Sequence, residues 1–150
     1  MSTRRSVILD TSPAGLICNS RKSPESIACN RWLRDVLNGG NAVYLPAIVD
    51  YELRREFIRA KLTSSLDMLD ELRGSVQFIP ISQQAFERAS ELWARCRQQG
   101  LVTADPHALD GDVILVAQVE LLLLGELVVA TTNHRHIGHF LPAMNWQDIT

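Results

Sequence analysis

The chain has 150 residues, a formal charge of −2 and 46% hydrophobic residues. That length suits a single domain, residues 1–150, with one sizeable core, and the small net charge excludes a strong global attraction to nucleic acid, so any such contact needs a local basic patch. The three cysteines, Cys18, Cys29 and Cys96, are odd in number and far apart; they exclude a disulfide framework or a thiolate zinc site and predict a reducing, cytoplasmic setting.

The N-terminus is too short before Asp10 for the apolar core of a signal peptide. Residues 6–9, SVIL, read as a buried strand running into Asp10, followed by Thr11, Ser12 and Pro13. Two readings of Asp10 stand side by side. It caps a short helix over residues 13–19, whose first turn accepts Pro13. Or the strand delivers a charge to the carboxyl edge of a sheet, where open α/β sheets place their ligands.

A helix is predicted from Pro24 to Asn38, stopped by Gly39 and Gly40, and then a strand over residues 42–46. Residues 47–62, AIVDYELRREFIRAKL, are strongly helical. Glu52 falls beside the apolar stripe of that helix, either as an ordinary boundary glutamate or as a carboxylate aimed at the sheet edge. Arg54, Arg55, Arg59 and Lys61 make a basic run that either pairs with Glu56 on a solvated face or holds phosphates. Thr63 is placed as the cap of the next helix, which ends at Gly74. A strand over 76–81 and a helix from Ser82 to Gln99 follow; Ala85, Phe86, Ala89, Leu92, Trp93 and Cys96 form its apolar stripe.

Residues 100–109 read as a loop, and residues 110–124 as a helix that is apolar nearly all round, hence buried. Its apolar run near Leu121–Leu124 is too short to span a bilayer. Asp110 is the expected N-cap and Asp112 the acid just inside. An acid at the end of such a helix points either at solvent or at a cation in a cleft. The strand over 127–131 runs into Thr131, Thr132 and Asn133. His134, His136 and His139 are too irregular for a zinc site. A turn or short helix extends through Phe140, and residues 144–149 are expected to form a last strand. Trp32, Trp93 and Trp146 suit a core or an interface, and no exposed aromatic for base stacking is identifiable.

Strands alternate with helices from end to end, which implies a mostly parallel sheet with helices on both faces. Such a sheet gathers Asp10, the Thr131–Asn133 strand end and the starts of the following helices along one edge. Several carboxylates in one cleft repel unless a cation or strong donors hold them ionised, and oxygen-only ligands suit Mg²⁺ or Mn²⁺.

In order and spacing these motifs resemble those of PIN-domain proteins of the VapC-like toxin group. The resemblance runs over essentially the whole chain: the strand ending in Asp10, Thr11 and Ser12; Glu52 in LPAIVDYELRREF; Asp112 before VILVAQV; and Thr131, Thr132, Asn133 and His136 after the last long strand. It implies a PIN-like three-layer α/β fold with a sheet of about four or five strands. It also implies an Mg²⁺- or Mn²⁺-dependent endoribonuclease that leaves a 5′-phosphate, a cognate antitoxin as partner, and a homodimer. Asp10, Glu52 and Asp112 would be the metal-binding, catalytic carboxylates, with Asp110 a further candidate. Thr11, Ser12, Thr131, Asn133 and His136 would support them or touch phosphate, and Arg54, Arg55 and Arg59 would contact RNA. Members often carry a fourth aspartate where this chain has His136, which leaves the number of metals open. It also keeps a second reading in view, a catalytically degenerate PIN domain that binds RNA or protein.

Overall fold

The computed structural model describes residues 4–100, 108–132 and 134–150. Asn133 and most of the loop after Gly100 lie outside them. Five strands form one all-parallel sheet: β1 (Ser6–Leu9), β2 (Ala42–Pro46), β3 (Gln77–Ile79), β4 (Leu127–Thr131) and β5 (Ala143–Asn145). Their order across the sheet is β3-β2-β1-β4-β5. The chain winds from β1 out to β3, then crosses to the other side of β1 to lay down β4 and β5. The order therefore reverses between β1 and β4, and the crevice outside their carboxyl ends is where such sheets bind ligands. As the central strand, β1 is buried on both faces, and Val7, Ile8 and Leu9 have no exposed surface. That is why it reads as a continuous apolar run rather than an alternating one.

The connecting helices are α1 (Thr11–Ile17), α2 (Pro24–Asn38), α3 (Ala47–Arg59), α4 (Thr63–Ser75), α5 (Gln83–Gln98), α6 (Ala108–Glu120) and α7 (His134–Ile137). Ser23 caps α2 through a hydrogen bond from Ser26 N–H, with Pro24 at its first position. Ser82 caps α5 in the same way through Ala85 N–H. Two cores flank α6. Its Leu115 and Val119 pack into the main core on the sheet, while Leu109, Val113, Val116 and Ala117 pack against Ala85, Ala89, Leu92 and Cys96 of α5. Being covered on two sides accounts for its all-round apolar character.

Several expected boundaries move. The first helix begins at Thr11 rather than residue 13, because the cap is Asp10. Thr63 is the first helical residue of α4 and not its cap, which falls at Leu62. Helix α6 begins at Ala108, so Asp110 lies in its first turn and is not the N-cap expected for it. It also ends at Glu120, and Leu121, Leu122 and Leu123 stand exposed beyond it, with Leu123 in the left-handed region at φ 51°. The expected last strand is three residues long. It gives way to a 3₁₀ turn, Trp146–Asp148, that folds Trp146 onto Trp32 with ring centroids 5.8 Å apart. Cys18, Cys29 and Cys96 are free, buried thiols, and burial pushes Cys18 and Cys29 up to about 12. Among the described residues no helix is long and apolar enough to cross a membrane.

Candidate active site

Asp10 leaves the end of β1 at the crossover crevice. Its backbone N–H donates to the Ala130 carbonyl of β4 at 3.0 Å, which fixes where its side chain starts. Each carboxylate oxygen then has its own task. Oδ1 accepts the Thr11 N–H at 2.8 Å and caps α1, and Oδ2 accepts the Thr131 hydroxyl of β4 at 2.7 Å. Burial raises the pKa of Asp10, and the hydrogen bonds from Thr131 and Thr11 pull it back. The cap and the strand-end carboxylate are thus one residue in both roles.

Glu52 reaches the same place from α3. Thr11 Oγ1 donates to Glu52 Oε2 at 3.4 Å, a long contact that ties the first turn of α1 to α3. Burial raises the Glu52 pKa, and so does the charge of Asp10, while the Arg55 guanidinium lowers it. Asp112 comes from α6. It is pushed up to about 7 by burial first, then by Asp10 and Glu52. Its Oδ2 is buried and has no hydrogen-bond partner. Residues 42 and more positions apart therefore meet at one sheet edge, where the charge of Asp10 reaches Glu52 and both reach Asp112.

Gly111 makes this approach possible. A Cβ at that position would collide with Glu52 Oε1. The glycine inside an apolar helix carries a packing reason that only the third dimension reveals. Beside the carboxylates, Ile48, Tyr51, Glu52 and Arg55 of α3 face Asp110, Gly111 and Ile114 of α6 across a cleft of about 490 Å³. Asp110 is exposed at its rim.

The supporting residues fall at the same edge with different engagements. The Ser12 and Thr132 hydroxyls are 2.8 Å apart, joining α1 to the end of β4. His136 is half-buried on α7, just beyond β4. Asn133 lies outside the described residues. The basic run divides in three. Arg54 grips Asp50 with two bonds of 3.0 Å and Asp70 with one of 2.8 Å, bracing α3 on α4. Arg59 pairs with Glu56 on an exposed face. Arg55 lies over the Tyr51 ring, 5.0 Å from its centroid, at the cleft.

Two residues escaped the sequence reading. Tyr51 is an aromatic 55% exposed at the cleft; its position on α3 gave no signal apart from its neighbours. Gln118, the one amide in the apolar run of α6, is buried. It donates to the Ile79 and Pro80 carbonyls at 2.7 and 3.1 Å and accepts the Ile48 N–H at 3.4 Å. It thereby holds the start of α3, which carries Glu52, against β3. A lone polar residue in an otherwise apolar helix was the available signal.

The donor chemistry of Asp10, Glu52 and Asp112 is all oxygen, the set a hard divalent cation takes. Their raised pKa values and the orphaned Asp112 Oδ2 mark a place short of positive charge. Among the described residues, however, no group of three or more His, Cys, Asp or Glu side chains is arranged to hold a metal ion as it stands.

No protein-family model matches the sequence, and no curated protein matches it. Solved structures do. The chain is similar to VapBC2 from Rickettsia felis, solved bound to a DNA fragment from its promoter, at 17% identity and a TM-score of 0.70, over 94% of this chain and 98% of that one. It is similar to FitAcB from Neisseria gonorrhoeae at 18% identity and a TM-score of 0.66, over 95% and 99% of the two chains. VapBC-1 from nontypeable Haemophilus influenzae aligns at 13% identity and a TM-score of 0.68, again over 95% and 99%. The likeness covers nearly the whole length and shows that the chain has the PIN-like α/β fold of these structures.

Proposed function

We propose that this chain is an Mg²⁺- or Mn²⁺-dependent endoribonuclease, acting as the toxin of a toxin–antitoxin pair. The observation that carries the reading is the meeting of Asp10, Glu52 and Asp112 at the crossover edge of the sheet, where Asp10 raises the pKa of Glu52, both raise that of Asp112, and Asp112 Oδ2 lacks any partner. When bound, the cation would supply Lewis-acid activation of water and neutralise charge developing on the scissile phosphate. The chain's own residues do the rest. Thr131 and Thr11 hold the Asp10 carboxylate in one orientation. Asp112 Oδ2, free of other bonds, is available to the cation. Ser12, Thr132 and Arg55 place hydroxyls and a guanidinium nearby, groups that bind phosphate oxygens.

The test is cleavage of single-stranded RNA in Mg²⁺ by the wild type and by Asp10→Asn. The amide can still accept from Thr11 and meet the Thr131 hydroxyl, which can turn to accept, so the fold survives while the charge is lost. Cleavage should be abolished with the melting temperature kept or raised, since a repulsive carboxylate is gone. Full activity in the variant would sink the metal-site reading.

The VapBC structures of similar fold are toxin–antitoxin complexes, which supports a cognate antitoxin here. A basic antitoxin segment could neutralise the carboxylate edge with a bidentate arginine. Induced expression alone should then arrest growth, and an intact, RNA-cleaving protein without toxicity would point to a housekeeping nuclease. A second reading, a degenerate domain that binds RNA or protein without cutting, draws on two observations. No described cluster is arranged to hold a metal as it stands, and His136 occupies the place of a fourth acid. RNA binding without metal-dependent cleavage by the wild type would decide for it.

A further inference from the structure

The cleft beside the carboxylates has a feature that metal binding does not use. Tyr51 is more than half exposed at its mouth, the most exposed of the aromatics among the exposed large hydrophobic residues. Arg55, one turn further along α3, lays its guanidinium over that ring at 5.0 Å from the centroid. Ile48 and Ile114 give the cleft apolar walls from α3 and α6, and Glu52 belongs to both the cleft and the carboxylate edge. At about 490 Å³ the space falls in the range of ligand pockets. It combines a flat aromatic, a guanidinium laid on that ring whose charge also reaches Glu52, and apolar walls.

From this geometry we infer that Tyr51 and Arg55 form a stacking platform for one unpaired base of the RNA, next to the phosphate that the carboxylate edge cuts. The inference rests on the ribonuclease reading and adds to it the two side chains of α3 that seat the base beside the cut. Arg55 lies against the Tyr51 ring, and more than half of Tyr51 stays exposed to receive a base. Aromatic stacking of this kind tolerates any base, because every base has a π-face, and the Arg55 charge serves the adjoining backbone phosphate. A base within a duplex is already stacked on both sides and cannot reach the ring. Tyr51 and Arg55 here act as substrate-binding residues and take no part in bond breaking.

The experiment uses the full chain and a short single-stranded RNA carrying one 2-aminopurine, titrated in EDTA so that nothing is cut, with a blunt RNA duplex as the comparison. Initial cleavage rates in Mg²⁺ are measured beside it. Tyr51→Ala should weaken single-strand binding about tenfold or more, remove the fluorescence quench on binding, and raise KM with kcat nearly unchanged. Tyr51→Phe should behave as the wild type, because the ring is what matters. Duplex binding should be the same in all three proteins. Single-strand binding and quenching by Tyr51→Ala equal to the wild type would overturn the platform even if RNA is cut normally. A wild type that binds and quenches through Tyr51 but cuts no RNA would overturn the nuclease reading and leave the platform standing.

Discussion

Thr131 and Asp10 are 121 positions apart in sequence and share one hydrogen bond of 2.7 Å, from the hydroxyl at the end of β4 to Oδ2 at the end of β1. The bond crosses the point where the strand order reverses, and it opposes the burial that pushes Asp10 towards its neutral form. Thr131 itself has no exposed surface. Thr131→Val keeps the shape and removes the donor. It should cost about 1–3 kcal/mol of stability, or about 3–10 °C in a chain of this size. It should also raise the Asp10 pKa further, so the acid limb of the pH–rate profile moves to higher pH. Thr131→Ser should restore both. Thermal melts and pH profiles of the three proteins check this, and a Val variant with an unmoved acid limb would mean that Asp10 does not titrate in catalysis.

Gly111 offers a cleaner separation of fold from site. The three atoms nearest an added methyl all belong to the end of the Glu52 side chain, which can swing away. Alanine is also the better helix former by about 1 kcal/mol. Gly111→Ala should therefore melt at or slightly above the wild-type temperature while losing most of its divalent-cation affinity and cleavage, because Glu52 is displaced from the carboxylate edge. Calorimetric Mn²⁺ titration beside a melting curve checks it. Unchanged Mn²⁺ affinity would show that Glu52 need not stand where it does.

The parallel α/β order was legible because β1 reads as an uninterrupted apolar run and each later strand is set off by an amphipathic helix. Topology alone gathered Asp10, the Thr131–Asn133 strand end and the starts of the following helices at one edge; Glu52 and Asp112 joined Asp10 through the family resemblance. What local pattern could not supply is what tertiary packing decides. Leu109 is buried against α5, and that burial draws the start of α6 back to Ala108, so Asp110 becomes an exposed acid of the first turn rather than its cap. The leucines at 121–123 continue the helical pattern, yet the chain turns there to enter β4 and leaves them in solvent. Asp10 read as either a cap or a charge delivered to the sheet edge; a carboxylate has two oxygens, and here Oδ1 caps α1 while Oδ2 accepts the Thr131 hydroxyl at that edge. The basic run looked uniform, but its members differ by the partners that α4 and Glu56 happen to present.

Arg54 illustrates the structural share of that run. It joins buried Asp50 to Asp70 across α3 and α4. Removing it leaves the Asp50 carboxylate buried without its charge partner. Arg54→Ala should destabilise by about 3 kcal/mol, at the lower end of the cost of breaking a buried pair because Arg54 is itself part-exposed. RNA affinity at a temperature where the variant stays folded should be unchanged, whereas Arg55→Ala should melt as the wild type and bind single-stranded RNA less tightly. Denaturant melts and binding isotherms distinguish them. Equal RNA-affinity losses in the two variants would assign Arg54 to the substrate after all.

Asp110 and Asp112 are two positions apart on α6 and stand in different surroundings. Asp110 is exposed at the rim of the cleft. Asp112 is held by burial, and then by Asp10 and Glu52, at about 7 against an ordinary 3.8. A carboxyl whose folded pKa lies above its unfolded one favours the folded state while it is neutral. That advantage is complete below pH 4 and is lost as the pH rises through 7. Without divalent cations, then, the protein should lose stability steadily between about pH 4 and pH 7. Asp112→Asn carries no charge to bury, so it should escape this loss; the gap in melting temperature between variant and wild type should open across that window and stay open above it. Asp110→Asn should follow the wild type throughout. Mn²⁺ should reverse the loss for the wild type, because a bound cation favours the ionised form, and should do little for Asp112→Asn. The measurement is a set of melts from pH 4 to pH 8 in EDTA and in Mn²⁺, with Mn²⁺ calorimetry on each protein. Asp112→Asn should lose cation affinity at least tenfold and Asp110→Asn should keep it. Parallel melting profiles for wild type and Asp112→Asn, or Mn²⁺ binding lost by Asp110→Asn and kept by Asp112→Asn, would reverse the assignment of the two acids.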